Sequence, residues 1–119
     1  MASHNELGKK GEELAIDFLK KNKYKILDCN WRYKKAEVDI IALKNNVLAV
    51  VEVKTRSSNY FGNPQDFVNP KKIKLLVEAI HEYVTSKDLD VEVRFDIIAI
   101  LKNKNTFEIE HLEDAFLHF

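Results

Sequence analysis

A single cysteine, Cys29, stands among the 119 residues, so no internal disulfide can form, and without Cys or His neighbours at ligand spacing it makes no zinc site. Its expected place is a buried thiol. No apolar run approaches the roughly 20 residues that a membrane-spanning helix needs, and the polar, basic amino terminus does not resemble a signal peptide. Together these absences point to a cytoplasmic protein with no membrane role. Repeats, low-complexity tracts and interdomain linkers are also missing, and a chain of this length fits one domain spanning 1–119.

Net charge is lacking too: 19 Lys and Arg balance 19 Asp and Glu. A neutral chain has a weak electrostatic footprint for a polyanion, but the balance is uneven along the sequence. Residues 1–86 hold 15 basic against 11 acidic residues, and residues 87–119 hold 4 against 8. Lysines and arginines gather at Lys20, Lys21, Lys23 and Lys25, at Arg32, Lys34 and Lys35, and at Lys71, Lys72 and Lys74. Each group is either a solvated face or a place where phosphates are met.

What is present is clear periodicity. In "GKKGEELAIDFLKKN" (8–22) Gly11, Leu14, Ala15, Phe18 and Leu19, with Leu7 just before, fall on one side of an amphipathic helix; Glu12 lies at the edge of that stripe and Glu13 points away. Residues 24–33 and 36–43 read as strands. Asn45 and Asn46 make a tight turn into a further strand, 47–56, which is apolar on both faces at its start, as in a covered central strand. After a loop rich in Ser, Asn, Gly and Pro, Asn69 caps and Pro70 opens a second helix. Its buried stripe is Ile73, Leu76, Val77, Ile80, Tyr83 and Val84, and strands at 91–101 and 107–112 follow around a turn at 103–105. This order predicts an α/β domain with a mixed central sheet flanked by helices.

Into the apolar segment 36–56 four charges intrude: Glu37, Asp39, Glu52 and Lys54. Residues two apart on a strand share a face, so Glu37 with Asp39, and Glu52 with Lys54, are expected to point together from neighbouring strands. Converging carboxylates beside one ammonium at the end of a core strand need compensation, by mutual pairing or by a bound cation. Oxygen ligands with open positions suit Mg²⁺ or Mn²⁺, and a lysine alongside can orient or deprotonate an attacking water. Phosphodiester hydrolysis is the chemistry that such a group performs. The plain alternative is a salt-bridge ladder between strands.

On these residues the sequence resembles the PD-(D/E)XK nuclease superfamily, whose core motif is an acidic residue on one strand and (D/E)-x-K on the next. More narrowly it resembles the YraN-like family of small endonuclease-like proteins, similar in pattern to archaeal Holliday junction resolvases. The resemblance runs through "GKKGEELAIDFLKKNKYKILDCNWR", "AEVDIIA", "VVEVKTR", "GNPQDFVNPKK", "RFDIIAI" and "HLEDAF" in that order. It implies a restriction-endonuclease-like fold, with Asp39 and Glu52 as metal ligands and Lys54 as the catalytic lysine. Glu12 would reach the metal directly or through water, and the Val53 carbonyl would be a further ligand. Glu37 would stand behind them. Arg56 and Gln65 are candidates to meet substrate, although a strand-end Arg and a loop Gln are more often ordinary surface residues, and Lys71 and Lys72 of the basic cluster are candidates to meet its phosphates. One departure is Ala36, where the family usually has glycine. The implied activity is cleavage of DNA, branched or single-stranded forms included, in repair, recombination or processing. The alternative is a nucleic-acid-binding or assembly protein that keeps the fold without turnover. Two cuts on a branched substrate are easiest for a symmetric homodimer, and a larger protein partner would add affinity and targeting.

Trp31 and Tyr33 offer rings for base stacking, although aromatics in a strand more commonly pack in the core. His111 is expected to be satisfied structurally, and Arg94 to pair with Asp96.

Overall fold

The computed structural model describes residues 2–57 and 69–116, with side chains from residue 6 onward. Helix α1 (Ala2–Lys21) leads into strands β1 (Lys25–Tyr33), β2 (Ala36–Lys44) and β3 (Val47–Ser57). Helix α2 (Pro70–Ser86) then precedes β4 (Glu92–Asn103) and β5 (Thr106–Leu112). The five strands form one sheet in the order β1-β2-β3-β4-β5, antiparallel throughout except for the parallel pair β3 and β4. The architecture is thus the mixed α/β sheet flanked by helices expected from the sequence, and it is consistent with a restriction-endonuclease-like fold. No helix among the described residues is long and apolar enough to cross a membrane.

Local chemistry explains the joints. Asn45 and Asn46 both take left-handed φ, 50° and 66°, as a two-residue hairpin requires, and Asn tolerates this at small cost. Asn69 caps α2 by accepting the Lys72 N–H at 2.9 Å, and Pro70 takes the first helical position, where a missing N–H costs nothing. Helix α1 begins earlier than the expected residue 8. It runs through Gly8, whose modest penalty in a helix interior is not enough to mark a boundary.

Each face of the sheet has its own core. Against α2 pack Val38, Ile41, Leu48, Val50 and Ile97, with Leu76, Ile80 and Tyr83 from the helix. Against α1 pack Ile40, Ala42, Ala49, Val51, Ile98 and Ile100, with Ala15, Leu19 and Tyr24. Alternation along β3 and β4 follows directly, because successive side chains point to opposite faces.

Two expectations about burial are corrected. Val77 is 46 % exposed; the stripe of α2 is centred on Leu76, Ile80 and Tyr83, with Ala79 on the flank that is covered and Val77 on the other. Cys29 is exposed, because β1 is an edge strand and α1 covers its outer face only at the margin. Partial burial, then Glu12 and Asp28, push its thiol pKa up, so it is a poor nucleophile.

One irregularity shapes the end of the sheet. Asn30 has a left-handed φ of 52° in the middle of β1, at the position bracketed by the pairs Cys29 with Ile40 and Trp31 with Val38. Across it the faces exchange: Ile40 packs toward α1, whereas Trp31 and Val38 pack toward α2. Beyond this point β2 leaves β3, and their ladder ends at Ile40 and Val51. The residue at the parting is Asp39.

Candidate active site

The parting of β2 and β3 leaves the backbone of Val53 without a β2 neighbour in register, and a side chain takes that role. Asp39 Oδ2 accepts the Val53 N–H at 2.8 Å. In an antiparallel arrangement a residue's N–H and C=O point to the same side, so the Val53 carbonyl faces the same gap. Asp39 is half-buried there, and its pKa is pushed from the ordinary carboxylate range up to about 7. Burial is the main cause and the Glu52 charge the next, with a smaller push from Glu12; the Val53 N–H and Lys54 act the other way without prevailing.

Glu52 continues the face of Leu48 and Val50 along β3 toward α2, and Lys54 follows on that face. Glu52 is buried and its Oε2 meets two ammonium groups, Lys54 Nζ at 3.1 Å and Lys72 Nζ at 2.7 Å. Lys72 comes from the first turn of α2, where the Asn69 cap fixes its backbone.

On the opposite face Gly11 lets α1 lie directly on β3: a Cβ there would collide with the Thr55 side chain. This close approach sets the height of the next residue, Glu12, whose charge is felt by both Asp39 and Cys29. Asp39, Glu52, Lys54, Val53 and Glu12 are therefore gathered about the splayed ends of β2 and β3, with α1 and α2 supplying one side chain each.

Other sequence-nominated residues lie apart. Glu37 pairs with exposed Arg32 of β1 at 3.1 Å, directly across the strand pair. Arg56 donates to the Thr55 carbonyl at 2.8 Å at the end of β3, and Lys71 is exposed at the start of α2. Gln65 lies outside the described residues. Trp31 packs edge-on against Tyr83 and stacks with Tyr33, its ring belonging to the margin of the core. Reasoning from the sequence placed Lys72 among substrate contacts and missed its bond to Glu52. The available signal was electrostatic: Lys71 and Lys72 occupy a helix's first turn, where the macrodipole favours carboxylates.

A second buried carboxylate sits on the α1 face of β4. Asp96 is fully buried and accepts from Arg94 Nε at 2.9 Å, Arg94 Nη2 at 2.8 Å and the Asp114 N–H at 3.0 Å. His111 Nε2 lies 2.8 Å from Asp96 Oδ2, and since a carboxylate only accepts, Nε2 carries the proton. Arg94 also donates to the Tyr24 hydroxyl at 2.6 Å. Burial alone would raise the Asp96 pKa, but these bonds outweigh it and hold the carboxyl below its ordinary value. His111 and Arg94 are thereby satisfied within the fold, as expected.

Whether this donor set suits a divalent cation can be judged from its chemistry. Among the described residues no three His, Cys, Asp or Glu side chains converge closely enough to cage an ion. What the parting of β2 and β3 offers is two mutually repelling carboxylates, Asp39 and Glu52, with the Val53 backbone beside Asp39. Mg²⁺ characteristically binds through one or two carboxylates while keeping waters and phosphate oxygens, so the set fits that ion and its relative Mn²⁺ rather than one needing a closed protein cage.

Fold and site together describe a small α/β protein with an acidic pair and lysines at one end of a mixed sheet. The profile of the Uncharacterised protein family UPF0102 matches residues 11–100. Over the full length of both chains, the sequence is 63 % identical to a UPF0102 protein of Flavobacterium psychrophilum and 63 % identical to one of Christiangramia forsetii. It is 47 % identical to a UPF0102 protein of Bacteroides fragilis across 98 % of this chain and 96 % of the relative. The chain belongs to the UPF0102 family, which is the YraN-like family of the sequence resemblance.

Proposed function

We propose that the protein is a Mg²⁺- or Mn²⁺-dependent DNA endonuclease acting in repair, recombination or processing. The observation that carries this reading is the state of Asp39. Its carboxyl is held in a partly buried gap against Glu52, with its pKa raised to about 7. A salt-bridge ladder built for stability lowers carboxyl pKa values, whereas an incompletely compensated pair is the condition that a cation relieves.

In this reading Asp39, Glu52 and the Val53 carbonyl would hold the ion, with Glu12 reaching it directly or through water. The ion supplies charge neutralisation at a phosphoryl oxygen and acidifies a water. Lys54, beside Glu52, orients that water and donates to the phosphoryl oxygens as negative charge develops on them. Arg56 and Lys71 meet flanking phosphates, where their charges act without reading sequence. A homodimer would place two such sites on a branched substrate.

The second reading, a nucleic-acid-binding or assembly protein without turnover, draws on the pairing of Glu52 with Lys54 and Lys72, which already neutralises one of the two carboxylates. Cleavage of labelled single-stranded, duplex, flap and four-way-junction DNA in Mg²⁺, Mn²⁺ or EDTA separates the two. Metal-dependent cutting that is lost in Lys54→Ala, with DNA binding retained, is the expected result. Equal binding by both proteins and no cutting of any substrate would instead favour the second reading.

A further inference from the structure

A single oxygen of Glu52, Oε2, meets two ammonium groups. Lys54 also acts on the neighbouring Asp39, so the acidic pair meets two ammonium charges, and Lys72 is the one closer to Glu52 although its side chain is the more exposed. Its position is unfavourable along the helix. Lys72 lies in the first turn of α2, which contains no acidic residue, so its charge opposes the helix dipole. The contact is thus made at an electrostatic cost to the helix, and the Asn69 cap holds the backbone that makes it.

The pattern makes sense if the charge required at this oxygen is that of a divalent ion. We infer that Lys72 is the counter-cation of Glu52 in the metal-free protein, displaced when a divalent cation binds. The inference rests on the reading of Glu52 as a metal ligand and deepens it. Lys54 lies on β3 two residues from Glu52 and stays with the site, whereas Lys72 reaches Glu52 from the first turn of α2 with a side chain that is one-third exposed. On displacement, the Lys72 ammonium swings out beside exposed Lys71, where a phosphate of the substrate would meet it. Metal binding and phosphate binding are thereby coupled: the ion releases the lysine, and a phosphate that holds the lysine away from Glu52 favours the ion, because coupling between two ligands is reciprocal.

A purely structural lysine and a displaced counter-cation differ in the sign of one measurement. Removing a structural lysine weakens the fold and disorders Glu52, so metal affinity falls. Removing a competing cation weakens the metal-free fold but strengthens metal binding. The experiment is calorimetric titration of Mn²⁺, without DNA, into the full chain and its Lys72→Met and Lys71→Met variants, with melting temperatures measured before and after saturation. The expected result is a dissociation constant about tenfold lower in Lys72→Met, since a unit charge next to the ligand oxygen is gone, and within about twofold of wild type in Lys71→Met, whose charge is exposed and screened. Metal-free Lys72→Met should melt below wild type, and Mn²⁺ should raise its melting temperature by more than it raises that of wild type. Mn²⁺ binding that emerges only in Lys72→Met would support the inference most strongly. Equal or weaker binding by Lys72→Met than by wild type would overturn it while leaving the metal site standing. Binding by neither protein would overturn the metal reading, and the inference with it.

Discussion

Asp39 and Asp96 are both carboxylates withdrawn from water in the same sheet, and they are treated in opposite ways. Asp96 is fully buried, but a guanidinium, an imidazole N–H and a backbone amide surround it, and its pKa is lowered. Asp39 is less buried, yet it has one amide donor and another carboxylate for a neighbour, and its pKa is raised to about 7. Burial does not decide which of the two strains the fold; the completeness of the surrounding hydrogen bonds does. A carboxylate that is fully served is architecture. One whose charge stays uncompensated is a candidate for function, which is why the proposed function attaches to Asp39 and its neighbour Glu52 and not to the more deeply buried Asp96.

The sharpest way to break this contrast is to remove each carboxylate in turn. Asp96→Ala leaves Arg94, His111 and the Asp114 amide without their acceptor, and by the cost of breaking a buried pair it should lose roughly 3–5 kcal/mol in urea unfolding. Asp39→Asn should act with the opposite sign. The amide oxygen still accepts from Val53, while the charge that burial and Glu52 disfavour is gone, so stability at pH 8 should rise by about 2–3 kcal/mol. If both substitutions destabilised alike, the distinction between the two sites would fail.

The same contrast has a pH signature in the wild-type protein. Between the ordinary carboxylate value and about 7, folded Asp39 keeps a proton that the unfolded chain has lost. The native state then binds more protons, so this group's contribution to stability falls as pH rises through that window and levels off above it. Asp96 contributes in the reverse sense. Its lowered pKa gives stability that is complete above the ordinary carboxylate value and is lost as pH falls through its folded value. Urea melts from pH 4 to 8 should show the Asp39 decline in the wild type and its absence in Asp39→Asn.

Smaller effects sharpen the boundary of the site. Gly11→Ala forces α1 off Thr55 and should cost roughly 1–3 kcal/mol by overpacking, while also moving Glu12 and so slowing any metal-dependent cleavage. Glu37→Gln breaks only the exposed pair with Arg32 and should change stability by less than about 0.5 kcal/mol. Cleavage, measured in the same assay, should stay within about twofold of wild type if Glu37 is as separate electrostatically as its geometry makes it.

Much of the fold was legible because it is written in local chemistry. The paired asparagines of the β2–β3 hairpin, the Asn69 and Pro70 start of α2 and the period of each element all act within a few residues. The gathering of Asp39, Glu52 and Lys54 could be anticipated from strand periodicity and the shared turn. What could not be read depended on departures from that periodicity or on distance along the chain. The exchange of faces at Asn30 places Glu37 and Asp39 in different surroundings, and a single Asn in a polar stretch gives no warning of it. The bond from Lys72 to Glu52 joins residues 20 apart in sequence. Cys29 was misjudged because residue type says nothing about whether a strand lies at the edge of its sheet.

The bond from the Val53 amide to Asp39 Oδ2 also gives the molecule a built-in gauge. An amide hydrogen bonded to a carboxylate resonates differently when that carboxyl gains a proton or turns to another ligand. The ¹⁵N and ¹H shifts of Val53 should therefore follow the ionisation of Asp39 in a pH titration, and the arrival of a cation in a metal titration. One backbone resonance would report on the site in solution without any substrate being known.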